Sequence, residues 1–335
     1  MFLAMLAAET AVDPERRAAA LAGLRAYQRA PREAAPPRPP ATLAAGRAGL
    51  RCYADERRRF GRAPVVVVPS LINPPTVLDL APDRSLMRWL AARGHEAWLL
   101  DWGEPAPEER HLDLAGHVEA MLLPLINALG EPPVLVGYCL GGTLAVAAAA
   151  LRPVAGVATI ASPWRFAGYG AARDAMLANW RAAEPACAGL GLTPMEVLQA
   201  GFWGLNPAGT IAKYEAFGRL DPAGEAARRF VVLEDWANAG APLTHAAGRE
   251  LFEQLIGGDL PGRGEWRVGG RALDALTLDV PRVEFVSLTD RIVPAATAAG
   301  WPDRRDVAAG HVGMMIGGGA ELRLWRPLAE WIESL

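Results

Sequence analysis

Apolar residues along this chain fall into two alternating patterns, and their alternation predicts the fold. Residues 64–69, with four consecutive valines between two prolines, form a continuous β-branched run of the kind that makes a strand buried on both faces. A helix over about 84–92 leads through Gly94 to a second run at 95–100, and a helix near 114–128 precedes a third strand at 133–136. A helix over 142–151 and a strand over 154–160 complete four alternations. Strands and helices alternating at this spacing predict a doubly wound, mostly parallel sheet with helices on both faces. From about Trp164 to Gly264 the alternation stops. Helical stretches rich in aromatics replace it, with Trp180, Phe202, Trp203, Tyr214, Phe217, Phe230, Trp236 and Phe252 among them, and they read as an inserted helical lid. The strand pattern resumes at 282–287, and Leu324, Leu328, Trp331, Ile332 and Leu335 follow the 3.6 period of a closing helix.

The start of the chain has a different character. Asp13-Pro14 supplies an N-cap and an N1 proline for an amphipathic helix running to about Ala30. Five prolines between residues 31 and 40 then forbid helix and favour a stiff extended linker. The expected organisation is therefore a helical arm and proline-rich linker at 1–41, expected to pack on the main domain. A first part of the α/β core follows at 42–164, the lid at 165–265 and the second part of the core at 266–335. No repeat of 20 to 50 residues interrupts this plan.

Composition narrows the functional classes. Of 335 residues, 51% are hydrophobic and 21% charged, with a net charge of −3, which is ample material for one large core without staples. Cys52, Cys139 and Cys187 are too few and too scattered for a disulfide framework or a zinc site, so a reducing cytoplasm is the expected compartment. Lys213 is the single lysine among 34 basic residues. A pI near 6.0 argues against a nucleic-acid footprint, which needs a basic face. The run Arg57 to Arg59 is flanked by Asp55 and Glu56 and reads as a solvated edge before the first core strand. No stretch reaches the roughly 18 to 20 apolar residues of a membrane span. The apolar start, Met1 to Ala8, lacks the features of a signal peptide, so the expectation is an unexported protein.

The chemistry concentrates in Gly137-Tyr138-Cys139-Leu140-Gly141, which lies between an apolar strand and an alanine-rich helix. This is a nucleophile elbow of the form G-x-C-x-G. Its glycines let strand and helix approach closely, and the elbow holds Cys139 at a helix N-terminus, where the dipole favours a thiolate over a thiol. Asp290 follows the strand ending at Ser287, and His311 sits in the glycine-flanked loop Gly310-His311-Val312-Gly313. The order nucleophile, acid, histidine is that of the α/β-hydrolase fold. His311 would draw the proton from Cys139, and Asp290 would fix the histidine tautomer and stabilise the imidazolium. The oxyanion needs two backbone donors: the N–H of Leu140 and one from the loop 69–74, for which Ile72 is favoured over Leu71.

Other candidates carry less. His95, His111, His117 and His245 read as surface or helix histidines, and none has zinc-ligand spacing with a cysteine or carboxylate. Asp101 ends a strand but precedes the nucleophile, so it reads as a structural turn carboxylate. Gly317-Gly318-Gly319 follows no strand and lacks a phosphate-loop lysine, so it reads as a turn.

At these residues the chain resembles the polyhydroxyalkanoate synthase family. The resemblance rests on Gly137-Tyr138-Cys139-Leu140-Gly141-Gly142-Thr143-Leu144, Ile72-Asn73, Leu78-Asp79-Leu80, Arg84-Ser85-Leu86, Asp101-Trp102-Gly103 and Gly310-His311-Val312-Gly313, with Glu234-Asp235-Trp236 similar to an E-x-W element in the lid. It implies a cysteine acyltransferase that takes 3-hydroxyacyl groups from coenzyme A thioesters and joins them as a polyester, with no permanently bound cofactor and no metal. With no counterpart of the long N-terminal domain of the larger synthases in the residues read, the expectation is one of the short forms. That implies a second synthase subunit or a second copy of the chain as partner, and association with polyester granules. A cysteine hydrolase acting on esters, thioesters or polyesters is the alternative, because water in place of a hydroxyl acceptor turns the same machinery into a hydrolase. A non-catalytic scaffold on this fold is a third reading, which the complete trio disfavours.

Overall fold

The structure is a computed structural model that describes residues 2–54 and 62–335. The Arg57–Arg59 expectation lies outside the described residues. Eight strands form the main sheet: β1 (Ala41–Ala45), β2 (Ala48–Cys52), β3 (Val65–Val68), β4 (Ala97–Asp101), β5 (Val134–Tyr138), β6 (Gly156–Ile160), β7 (Arg282–Ser287) and β8 (Arg304–Val307). Their spatial order is β1-β2-β4-β3-β5-β6-β7-β8. The six strands from β4 to β8 run parallel, and the β1–β2 hairpin is added antiparallel at the β4 edge. The hairpin was not expected; its alanine-rich strands carry little β-propensity, and it turns at Gly46 with φ 58°.

Alternation along the strands explains why the parallel strands read as unbroken apolar runs. Val66 and Val68 face one core cluster while Val65 and Val67 face another, and all four are fully buried. Each such side chain contributes about 1.5–3 kcal/mol by leaving water. Strand order reverses between β3 and β5, so the loop after β3 and the turn after β5 open side by side at the carboxyl edge.

The helices are α1 (Phe2–Glu9), α2 (Pro14–Arg29), α3 (Leu86–Ala92), α4 over 114–127, α5 (Leu140–Leu151), α6 (Ala172–Leu190), α7 (Met195–Gly204), α8 (Pro207–Phe217), α9 (Glu225–Asn238), α10 over 245–257, α11 (Gly313–Ile316) and α12 over 321–333. Helices α6 to α10 occupy the aromatic-rich stretch, and Trp180, Tyr214 and Phe217 are part of its buried core. Asp13 caps α2 by accepting the Arg16 N–H at 2.9 Å. The arm packs on the helical lobe: Arg16 Nε lies 2.8 Å from Glu215, Tyr27 donates to Asp235 at 2.6 Å, and Phe2 meets Trp203 edge-on at 5.4 Å. Helix α1 was not expected, since its apolar run had been weighed only as a leader. The proline-rich linker is anchored through its carbonyls, Pro37 accepting from Arg88 and Pro39 from Arg51.

Three sequence landmarks prove architectural. Asp79 is fully buried and accepts hydrogen bonds from Tyr53 at 2.8 Å and from Arg88 at 2.7 Å. Asp101 closes its turn by accepting the Gly103 N–H and pairs with Arg51 at 3.0 Å. His95 departs from the expected surface or helix setting: it is buried in the turn between α3 and β4, 3.4 Å from Glu333. Burial lowers its pKa, against the pull of Glu333.

His117 lies in α4 but is buried, with Nδ1 2.6 Å from the Asp113 carbonyl and Nε2 2.5 Å from the Arg47 guanidinium. The carbonyl requires a proton on Nδ1, so Nε2 accepts from Arg47 and the ring is neutral. Burial, with the Arg47 charge adding to it, brings the pKa down to about 4 despite the Asp113 carbonyl. The unfolded ring titrates near pH 6.5 and so binds the extra proton first. Stability is therefore expected to be full above about pH 6.5 and to fall as pH drops toward 4, by up to about 3 kcal/mol from this group. Denaturant midpoints across that window check it, and His117→Gln should flatten the slope.

Candidate active site

The elbow is built as its glycines require. Cys139 lies between β5 and α5 with φ 56° and ψ −134°, a conformation that side-chain-bearing residues seldom adopt and that costs on the order of 1–3 kcal/mol. A Cβ on Gly137 would stand 2.2 Å from Gly142 Cα, and one on Gly141 would stand 2.2 Å from the Val68 carbonyl oxygen. A side chain at 137 would therefore strike the first turn of α5, and one at 141 would push the turn off β3. The turn is held further by the Cys139 N–H donating to Ile160 O at 3.0 Å.

Asp290 and His311 arrive from the loops after β7 and β8. One carboxylate oxygen of Asp290 accepts the Ile292 and Val293 N–H groups at 2.7 and 3.0 Å; the other lies 2.5 Å from His311 Nδ1. Both side chains are buried. With Nδ1 given to the carboxylate, Nε2 is the nitrogen left for the Cys139 thiol, which lines the same cavity as the imidazole. Burial by itself would depress the imidazole pKa, but Cys139 and Asp290 on its two sides outweigh burial and hold it up at about 10. The structure thus brings together the three residues that the sequence singled out.

Tyr138, the variable position of the elbow, was not singled out. Its ring stacks on the imidazole at a centroid distance of 5.0 Å, and its hydroxyl donates to the His311 carbonyl at 3.3 Å. Only its place beside the nucleophile could have flagged it.

The two expected oxyanion donors differ. Leu140 is the first residue of α5, so its N–H has no acceptor within the helix and opens beside Cys139. Ile72 reaches the same cavity wall, but its N–H donates to Ser70 Oγ at 3.1 Å. The Ser70–Ile72 turn is a local side-chain cap that the loop's sequence left unread.

Two cavities meet at Cys139. The larger, about 210 Å³, is lined by Cys139, His311 and Ser70 from the core and by Gln199, Lys213 and Glu234 from the helical lobe. Glu234 is buried, accepting from Lys213 at 2.7 and 2.8 Å and from Tyr214 at 2.5 Å. Trp236 donates to the Pro74 carbonyl at 2.9 Å, tying α9 to the loop after β3. The smaller cavity, about 70 Å³, is apolar and is walled largely by α6, α7 and α10. Among the described residues no group of three or more His, Cys, Asp or Glu could hold a metal ion. No helix among them is long and apolar enough to cross a membrane. His245 pairs with Glu184 at 3.1 Å.

No protein-family model matches the chain. Among curated proteins it is 26% identical over 289 residues to the poly(3-hydroxyalkanoate) polymerase subunit PhaC of Haloferax mediterranei, covering 80% of this chain and 58% of that one. It is 25% identical to the protein of the same name from Haloarcula marismortui, covering 80% and 60%. To that from Allochromatium vinosum it is 26% identical, covering 81% of each. The chain thus spans about three-fifths of the length of the two haloarchaeal relatives. Among solved structures, one described under the metagenome-derived lipolytic enzymes LipS and LipT has a TM-score of 0.51 at 15% identity, covering 88% of this chain and 100% of that one. A variant of the N-acyl homoserine lactonase AidH has the same TM-score and identity, covering 87% and 96%. At such identities these two likenesses show the α/β-hydrolase fold alone.

Proposed function

We propose that this chain, related to the polyhydroxyalkanoate synthase family over four-fifths of its length, is an acyltransferase that forms a polyester through Cys139. The observation that carries the reading is the continuous Cys139–His311–Asp290 constellation on a strained elbow at the floor of a cavity roofed by the inserted helices. His311 takes the thiol proton, and the sulfur attacks the carbonyl carbon of a 3-hydroxyacyl coenzyme A thioester. The oxyanion is held by the Leu140 N–H and a donor from the Ser70–Ile72 turn; the Ile72 N–H serves once it exchanges Ser70 Oγ for the developing charge. As the carbon–sulfur bond to coenzyme A breaks, His311 returns its proton to the leaving thiolate. In the second half, His311 takes the proton of a hydroxyl on another 3-hydroxyacyl group. The alkoxide attacks the cysteine thioester, an ester bond forms, the carbon–sulfur bond to Cys139 breaks and His311 returns the proton to its thiolate. The acceptor, itself a coenzyme A thioester, now carries the lengthened chain and reloads Cys139 by the first half-reaction. Loading is nearly balanced because one thioester replaces another, so the acceptor decides the product. In this reading residues 165–265 act as a lid that keeps water from the acyl-enzyme.

The relatives' shared name, polymerase subunit, fits a chain that works with a second subunit or a second copy of itself. Polyester granules are then its expected place of work. Incubation with 3-hydroxybutyryl-coenzyme A is expected to release free thiol and to accumulate polymer. Stoichiometric free 3-hydroxybutyrate with no polymer would replace this reading by the cysteine hydrolase.

A further inference from the structure

The smaller cavity is the part of the site that the reaction as described does not use. It opens on Cys139 and Leu140, and its walls are apolar, with Met176, Trp180, Gly201 and Phe252 among them. Trp180 and Phe252 stack at 5.0 Å with a 10° interplanar angle, and the Trp180 indole N–H is fixed to Glu253 at 3.1 Å, which makes this end rigid. An acyl group on Cys139 carries its hydrocarbon away from the sulfur, and polar side chains such as Lys213, Glu234 and Gln199 line the other cavity. Both cavities carry apolar surface, but the smaller has few polar groups apart from Asn179, so burial of the hydrocarbon is more favourable there.

We infer that this cavity is the acyl-chain subsite, and that the Trp180–Phe252 stack, Met176 and Gly201 set the length of chain that Cys139 accepts. The inference rests on the acyl-enzyme reading above. An apolar cavity of about 150 Å³ accommodates the six carbons of benzene. At about 70 Å³ the present one has room for roughly three, which is the hydrocarbon of a four-carbon acyl group beyond its carbonyl. Longer chains have to displace the walls.

Gly201 offers a direct handle. It lies within α7 and lines the cavity, and a Cβ there meets no heavy atom within 4 Å, so a larger side chain is accommodated at the cavity wall without striking backbone. Met176 offers the opposite one, since shortening it enlarges the same space.

The test compares second-order rate constants for the single-turnover burst of thiol release from butyryl- and hexanoyl-coenzyme A in the full chain, with and without Gly201→Leu or Met176→Ala. The wild type is expected to favour butyryl by about tenfold or more, as small hydrophobic pockets discriminate. Met176→Ala should shrink that preference about fivefold or more, and Gly201→Leu should raise it by a similar factor. Wild-type thiol release with a preference that neither variant moves would overturn the subsite while leaving the acyl-enzyme in place. No thiol release from either thioester, nor from 3-hydroxybutyryl-coenzyme A, would overturn the acyl-enzyme reading and this inference with it.

Discussion

Cys139→Ala is expected to abolish turnover, with a loss on the order of 10⁵-fold or more in kcat, as for other enzymes deprived of their nucleophile. Of the three cysteines, Cys139 is the one that occupies the elbow and lines the cavity that His311 also lines. Cys187 is buried in α6, where burial pushes its thiol up in pKa. Cys52 is in the edge hairpin, paired with β4. The alanine variant should fold, because the strained φ at 139 becomes no worse when sulfur is removed. Mass spectrometry after exposure to a thioester should find acyl adducts on Cys139 in the wild type and none in the variant. Adducts on Cys52 or Cys187 with Cys139 untouched would overturn the assignment.

The second large effect is expected at the base and its orienter. His311→Ala removes the only histidine in reach of the sulfur and should approach the loss seen for Cys139→Ala. Asp290→Asn keeps the shape but replaces the carboxylate that holds His311 Nδ1 at 2.5 Å, so a loss of about 10³- to 10⁴-fold in kcat is expected. The double variant should be little worse than His311→Ala alone, because an orienter has no effect once the group it orients is gone. Additive losses across this cycle, measured as kcat for thiol release, would mean that Asp290 acts independently of His311. Near wild-type activity in His311→Ala would require a different base.

The site was legible wherever chemistry is written into contiguous motifs. Gly137, Cys139 and Gly141 announce a strand, turn and helix by themselves, because backbone crowding leaves little choice of residue there. Asp290 and His311 could be placed by chain order, since each follows a strand pattern or stands in a glycine-flanked loop. The buried parallel strands were readable for a related reason: Val65 to Val68 contact apolar neighbours on both faces, so every position is apolar. Edge elements were not. The strand Arg304–Val307 carries Arg304, Arg305 and Asp306 because it pairs only on one side, and the hairpin at 41–52 is built from small residues.

Contacts between distant segments were harder still. Nothing in the sequence around Ser70 says that its hydroxyl holds the Ile72 N–H, or that Tyr138 lies against His311. Lys213 stood out only as the single lysine, and its bond to buried Glu234 on the cavity wall depends on two helices meeting. The arm was expected to pack, but its partners, Asp235, Glu215 and Trp203, lie about 200 residues away and follow from tertiary assembly alone.

The most direct test of the account is the mass of the Cys139-bearing peptide after the protein is mixed with 3-hydroxybutyryl-coenzyme A and quenched in acid. Transfer to a hydroxyl predicts a ladder on that peptide, with successive 3-hydroxybutyryl increments on one sulfur as the chain grows. A single increment that decays to free acid without extension, or no adduct on Cys139 while thiol is being released, would contradict it.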